Sequence, residues 1–232
     1  MLVLVTGTSS GIGRGLAKRL AGNGHTVLGC SRRPGPPPFE NYKHYQADLT
    51  STEQVKAMFE AIRQEHGFLD ALINNAGTAV MNAFLLTPEA DVERLFGINV
   101  FAMFRCTREA AKLMRHSEHG SPSILNLSTV AVPWSIPGQA VYASSKSAVE
   151  QATRSLSVEL AQWNIRINTI GLPPIRTALT RTVKAEKIEA LVERQAIRRM
   201  CTIDDVVGPV EFLLSPAAGF VTGETLFLGG IC

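Results

Sequence analysis

Leu2-Val3-Leu4-Val5-Thr6-Gly7-Thr8-Ser9-Ser10-Gly11-Ile12-Gly13 opens the chain. Leu2 to Val5 is a short branched apolar run, as expected of a strand buried on both faces. It feeds a G-x-x-x-G-x-G turn, after which Ile12, Leu16 and Leu20 recur every four residues and set one apolar stripe on a helix. Gly7 permits the sharp turn off the strand, Gly11 lets backbone approach a pyrophosphate, and Gly13 lets the helix pack close to the sheet. The helix N-terminus offers free N–H groups and a positive dipole end to phosphates. Ser9, Ser10 and Ile12 join the three glycines as expected cofactor contacts. A glycine-rich turn without a ligand is the other reading, and the strand–turn–helix context weighs against it.

Working outward, Gly22-Asn23-Gly24 ends that helix and His25 to Cys30 reads as a second strand. Ser31-Arg32-Arg33 follows, where a Rossmann unit faces the adenosine ribose. No carboxylate stands here to select NAD, and a guanidinium forks onto phosphate oxygens, so NADP(H) is expected over NAD(H), with Arg32 foremost. Ser10 instead of a base before Gly11 argues against this, and both arginines as solvated loop charges is the alternative. The Pro34–Pro38 run reads as a stiff surface loop. Tyr42 to Ala47 is a third strand, Thr50 with Glu53 a capping box, and Val55, Met58, Phe59 and Ile62 the core face of a helix. Leu69 to Ile73 is a fourth strand, closed by Asn74-Asn75-Ala76-Gly77. The short amides can bond neighbouring backbone strands, while Ala76 and Gly77 leave room for a ribose. Thr87-Pro88 predicts an N-cap with Pro at N1. Asn99 is polar among apolar neighbours and must find hydrogen bonds.

Ser128 ends a fifth strand, Ser123 to Leu127, and Tyr142-Ala143-Ser144-Ser145-Lys146 opens the next helix. Residues i and i+4 share a helical face, so Lys146 lies one turn from Tyr142. A phenol holds its proton to a pH near 10. A nearby ammonium lowers that value, and Tyr142 is then expected to pass protons to and from a substrate oxygen that Ser128 also holds. A half-buried ring beside a solvated amine is the bland reading of the pair.

These motifs, taken in order, resemble the short-chain dehydrogenase/reductase family from Met1 to about Gly230, closest in pattern to 3-oxoacyl-acyl-carrier-protein reductases. The resemblance implies one α/β Rossmann domain: a doubly wound, parallel seven-stranded sheet with helices on both faces. It also implies an NAD(P)-dependent oxidoreductase acting on a carbonyl or secondary alcohol, with Asn99, Ser128, Tyr142 and Lys146 catalytic and no metal. Asp48 and Leu49 carry over as adenine contacts, Asn75, Ala76 and Gly77 as ribose contacts, and Ile175 and Thr177 as carboxamide contacts. Asn99 would hold a water that links Lys146 to solvent; a buried amide satisfied by backbone is the alternative. Where relatives show Pro-Gly, this chain has Leu172-Pro173, which puts those carboxamide contacts in question. A lid over about 172–200, a homodimer or homotetramer, and an acyl carrier protein as partner are further implications. Relatives that bind NADP(H) as sensors without turnover typically lose the Tyr or Lys, and this chain keeps both.

Composition sets the bounds. A chain of 232 residues can bury one full core, and 45% hydrophobic with 19% charged residues is that of a soluble globular protein. A net charge of +3 without a basic, aromatic-laced stripe gives no nucleic-acid footprint. Four scattered cysteines make neither a metal nor a disulfide framework, and no apolar run is long enough to span a bilayer. The cytoplasm is the expected location. Val80, Met81, Phe84, Trp134, Ile136 and Leu179 are expected to line an apolar substrate pocket.

Overall fold

Strand β1 (Leu2–Thr6) leads through the glycine turn into α1 (Gly11–Gly22), followed by β2 (Thr26–Ser31), β3 (Tyr42–Gln46), α2 (Thr52–His66) and β4 (Ala71–Asn74). The second half holds α3 (Glu89–Phe96), α4 (Ala102–Met114), β5 (Ser123–Thr129), the one-turn α5 (Ala131–Trp134), α6 (Ala140–Leu160), β6 (Arg166–Leu172), α7 (Ala185–Glu193), α8 (Ile203–Leu214) and β7 (Thr225–Phe227). This is a computed structural model, and it describes residues 1–35, 37, 39–117, 120–177, 180 and 183–231. Leu179, expected in the pocket, and part of the proline run lie outside the described residues. Strands β1 to β6 start and stop within two residues of the ranges read from the sequence.

All seven strands pair in parallel, in the order β3-β2-β1-β4-β5-β6-β7. The order reverses between β1 and β4, and it is outside the carboxyl ends at such a reversal that open α/β sheets bind ligands. Alternation along each strand divides the core in two. Val3, Val5 and Val27 pack with Leu16 and Leu20 of α1 and Val206 and Val210 of α8. Leu2, Leu4 and Leu28 face the other way, onto Val55 and Ile62 of α2 and Cys106 and Ala110 of α4. Each of these Val, Leu and Ile side chains, removed from water, contributes about 1.5–3 kcal/mol.

A buried polar chain fixes the rotation of α6 against this sheet. Asn74 donates to Asn126 Oδ1 at 2.9 Å, Asn126 donates to Thr153 Oγ1 at 2.8 Å, and Thr153 meets Thr169 Oγ1 at 2.8 Å. It ties β4, β5 and β6 to the helix that carries Tyr142 and Lys146.

Two caps differ from expectation. Ser51, not Thr50, caps α2, accepting from Gln54 N–H, because Thr50 is committed to the Asp48 carboxylate by both its N–H and its hydroxyl. Helix α3 starts one residue late, with Pro88 in the capping position, while the Thr87 hydroxyl donates back to Ala83 O. Thr202 and Asp205 form a capping box at the start of α8.

Candidate active site

The glycine turn lies at the reversal between β1 and β4. Gly11 has φ +60°, and a Cβ placed there would meet only Thr177 atoms at 3.9 Å, so open space lies over this backbone. A Cβ on Gly13 would strike Asn75 Nδ2 and the Gly7 carbonyl, so close helix–sheet packing requires glycine there. No side chain caps α1: Ser10 has extended backbone and makes no capping bond. An uncapped helix start over an open glycine cradle fits a pyrophosphate.

At the end of β2, Ser31 is buried and Arg32 and Arg33 are exposed. Burial alone would raise the Asp48 carboxyl, but the two Thr50 bonds and the Arg32 charge hold it below the usual carboxylate range. Leu49 is buried in the core under it, on the side of α2. One cluster here was missed in the sequence. Tyr42 and His44 share a face of β3; Tyr42 Oη meets Thr8 Oγ1 and His44 Nδ1, each at 2.8 Å, and His44 Nε2 meets Ser31 Oγ at 3.1 Å. The i, i+2 spacing of two polar rings in a strand was the available signal.

On the β4 side, Asn75 Nδ2 donates to Thr6 O at 2.7 Å, and the Asn75 and Ala76 N–H groups both donate to Thr6 Oγ1. Asn74 reaches side chains instead of backbone, which corrects half of the two-amide reading. Gly77 lies against Asn99 Oδ1 and Lys146 Nζ. Asn99 occupies a π-helical turn, Gly97–Phe101, between α3 and α4. Its amide accepts from Thr78 N–H at 2.9 Å and donates to Thr78 O and to Ser145 Oγ, each at 3.0 Å. The side chain is thus satisfied by backbone and a hydroxyl, so any water it anchors must use other lone pairs.

Tyr142 stands in the first turn of α6, with Lys146 one turn on. Lys146 Nζ donates to Leu127 O at 2.7 Å, turned toward the end of β5. Burial pushes the amine down to about 8, against a smaller upward pull from Glu150. Tyr142 is pushed up to about 12 by burial, with a Thr129 hydroxyl bond pulling the other way. This runs against the expectation of an acidified phenol: burial is the larger influence on Tyr142, and the opposing one comes from Thr129, not from Lys146.

Ser128 is buried and its Oγ donates to Glu150 Oε1 at 2.5 Å. The sequence reading missed Glu150, although it stands eight residues past Tyr142 on the same helix face. Two adjoining cavities meet at these hydroxyls. An outer one of about 190 Å³ is lined by Val80, Met81, Ile136, Ile188 and Leu191 among others, and an inner one of about 90 Å³ by Asn75, Gly77 and Lys146 among others. Ile12, Ser128, Tyr142 and Leu172 border both. Phe84 instead stands 68% exposed, and Trp134 is buried with its ring under the Arg194 guanidinium, 4.7 Å from the centroid.

Leu172 still completes β6, and Pro173, Pro174 and Ile175 are buried, so the departure from Pro-Gly leaves an ordered turn. From the segment expected as a lid, Leu172, Ile175, Thr180, Val183 and Leu191 line the outer cavity. Thr177, whose N–H is held by Thr180 Oγ1, sits over Gly11. No helix among the described residues is long and apolar enough to cross a membrane.

Comparison with known proteins agrees with this geometry. A 3-oxoacyl-(acyl-carrier-protein) reductase FabG of Vibrio cholerae is 30% identical, over 99% of this chain and 96% of its own. A 3alpha-hydroxysteroid dehydrogenase of Mediterraneibacter gnavus is 31% identical, over 99% and 95%. The ligand-free structure of aldohexose dehydrogenase from Thermoplasma acidophilum superimposes with a TM-score of 0.88 at 30% identity, covering 99% of this chain and 92% of that one. Residues 7–230 match the family model described as Enoyl-(Acyl carrier protein) reductase. With its parallel sheet, glycine turn and Ser–Tyr–Lys cluster, the chain belongs to the short-chain dehydrogenase/reductase family of oxidoreductases.

Proposed function

We propose that this protein reduces a ketone to a secondary alcohol with NADPH, in preference to NADH, and that Tyr142 supplies the proton. The observation that carries the reading is that the Ser128 and Tyr142 hydroxyls border both cavities, one apolar, the other carrying Lys146 and Gly77. A nicotinamide dinucleotide bound along the glycine turn supplies the hydride. The first turn of α1 receives its pyrophosphate, Arg32 and Arg33 pair with a 2′-phosphate, and Asp48 and Leu49 meet the adenine. Asn75, Ala76, Gly77 and Lys146 hold the ribose nearer the reaction, and Ile175 and Thr177 the carboxamide. The Tyr142 phenol is protonated at neutral pH and donates to the carbonyl oxygen as carbon is reduced, while Ser128 fixes that oxygen and Lys146 offsets the charge left on the phenol. Proton resupply runs from Lys146 past Asn99.

The apolar outer cavity suits an aliphatic ketone, and a 3-oxoacyl group on an acyl carrier protein is one, in keeping with the name of the Vibrio cholerae relative. The segment over about 172–200, of which 178, 179, 181 and 182 lie outside the described residues, acts as its lid. Exposed Phe101 just before α4, Phe104 on α4 and Trp163 after α6 support self-association as a dimer or tetramer. Sedimentation of Phe104→Glu tests that, and a fully monomeric wild type refutes it. The catalytic reading is tested by incubating the protein with NADPH and a panel of activated ketones. Tight cofactor binding with no turnover of any of them would overturn it.

A further inference from the structure

Glu150 sits one turn past Lys146 and two past Tyr142 on the buried face of α6, 7% exposed, with Oε1 2.5 Å from Ser128 Oγ. A hydroxyl has one proton and two lone pairs, whereas an ionised carboxylate only accepts. With Glu150 ionised, the Ser128 proton is held by the carboxylate, and the cavity meets only serine lone pairs. A ketone oxygen is itself an acceptor, so Ser128 cannot then donate to it. With Glu150 protonated, its O–H fills a lone pair of Ser128 Oγ, and the serine proton is free to turn into the cavity.

We propose that Glu150 is a positioning residue that sets the direction of the Ser128 hydroxyl, holding its proton when ionised and turning it onto a bound carbonyl oxygen when protonated. The inference rests on the reaction assigned above to Ser128 and Tyr142. One proton exchanges between water and Glu150, and no other bond forms or breaks. The charges acting on the carboxyl are Arg154 and Lys146, both on α6; β5 presents only the Ser128 hydroxyl. Burial raises the proton affinity of Glu150 above that of an ordinary carboxyl, with the serine bond and these two cations opposing it.

The experiment compares pH profiles of kcat/KM for ketone reduction in the wild type, Glu150→Gln and Tyr142→Phe. The wild-type rate is expected to fall by up to about tenfold per pH unit as Glu150 ionises. In Glu150→Gln the amide donates to Ser128 at every pH, and that limb is expected to vanish. An unchanged profile in Glu150→Gln, beside an inactive Tyr142→Phe, overturns this inference alone; an active Tyr142→Phe overturns the reaction reading. A second measurement needs no turnover: the carbon-13 carboxyl titration of Glu150 in the cofactor-free protein, assigned through its backbone. Ser128→Ala is expected to move its midpoint to higher pH, since the hydroxyl bond favours the ionised form. A midpoint that Ser128→Ala leaves in place also overturns the inference.

Discussion

Replacing Tyr142 by Phe removes a single oxygen and leaves the ring that lines both cavities. Positioned general acids contribute about 10²- to 10⁴-fold. The upper part of that range is expected, because Tyr142 is the proton donor of the proposed reaction while Ser128 only positions the oxygen. The expected loss in kcat/KM for ketone reduction is thus about 10³- to 10⁴-fold, or about 4–5.5 kcal/mol of barrier. Direction matters as well. With the phenol pushed up to about 12, it is in the acid form at neutral pH, which suits reduction. Oxidation requires the phenolate, and forming it at pH 7 costs roughly 7 kcal/mol unless a bound cationic ring and Lys146 offset the burial. Wild-type alcohol oxidation should therefore climb with pH through the neutral and alkaline range, while reduction should not. The assay follows reduced-nicotinamide absorbance in both directions, with circular dichroism and cofactor binding as controls for folding. A Phe variant that binds cofactor and keeps more than about one-tenth of wild-type kcat/KM would refute general-acid catalysis by Tyr142.

Arg32→Ala should lower the NADPH-over-NADH ratio of kcat/KM by about tenfold or more, the order of one charge-assisted pair to phosphate; an unchanged ratio shows that the exposed guanidinium is only solvated. Gly13→Ala should abolish measurable cofactor binding in a fluorescence titration, because the added methyl would strike Asn75 and the Gly7 carbonyl. Asn126→Ala breaks the polar chain between β4 and α6, and urea unfolding should show a loss of about 1–3 kcal/mol from the donors and acceptors left unpaired. Lys146, pushed down to about 8 in the fold from an ordinary 10.5, loses its proton before the unfolded chain does. Its contribution to stability is therefore present above pH 10.5 and lost as pH falls through 8. The wild type should gain stability relative to Lys146→Met between those values, and a pH-independent difference would contradict the burial of the amine.

The central strands were legible because strands buried on both faces must be continuously apolar, whereas β3 and β7 are only partly buried. Leu2 to Val5 before Gly7, and Ile124 to Leu127 before Ser128, need nothing distant to be read. The junction of Ser128, Tyr142 and Lys146 was legible for a related reason: helical spacing and strand-end position are properties of the local chain. What spacing does not carry is the state of those groups. Tyr142 four residues from Lys146 invites an acidified phenol, yet the amine turns to the Leu127 carbonyl and burial dominates both groups. Desolvation depends on everything packed around a site, and most of that comes from elsewhere in the sequence. Trp134 fails for the same cause, its ring covered by Arg194 from the end of α7, whereas Thr50 and Thr87 fail locally, their hydroxyls taken by nearby Asp48 and Ala83. Glu150 is the most telling omission. As one acidic residue on a helix it looks like a solvated charge, and only the close approach of β5 to α6, with Ser128 brought within 2.5 Å, makes it part of the chemistry. A site of this kind is thus half written in local pattern and half in packing, and the packing half sets which way its protons point.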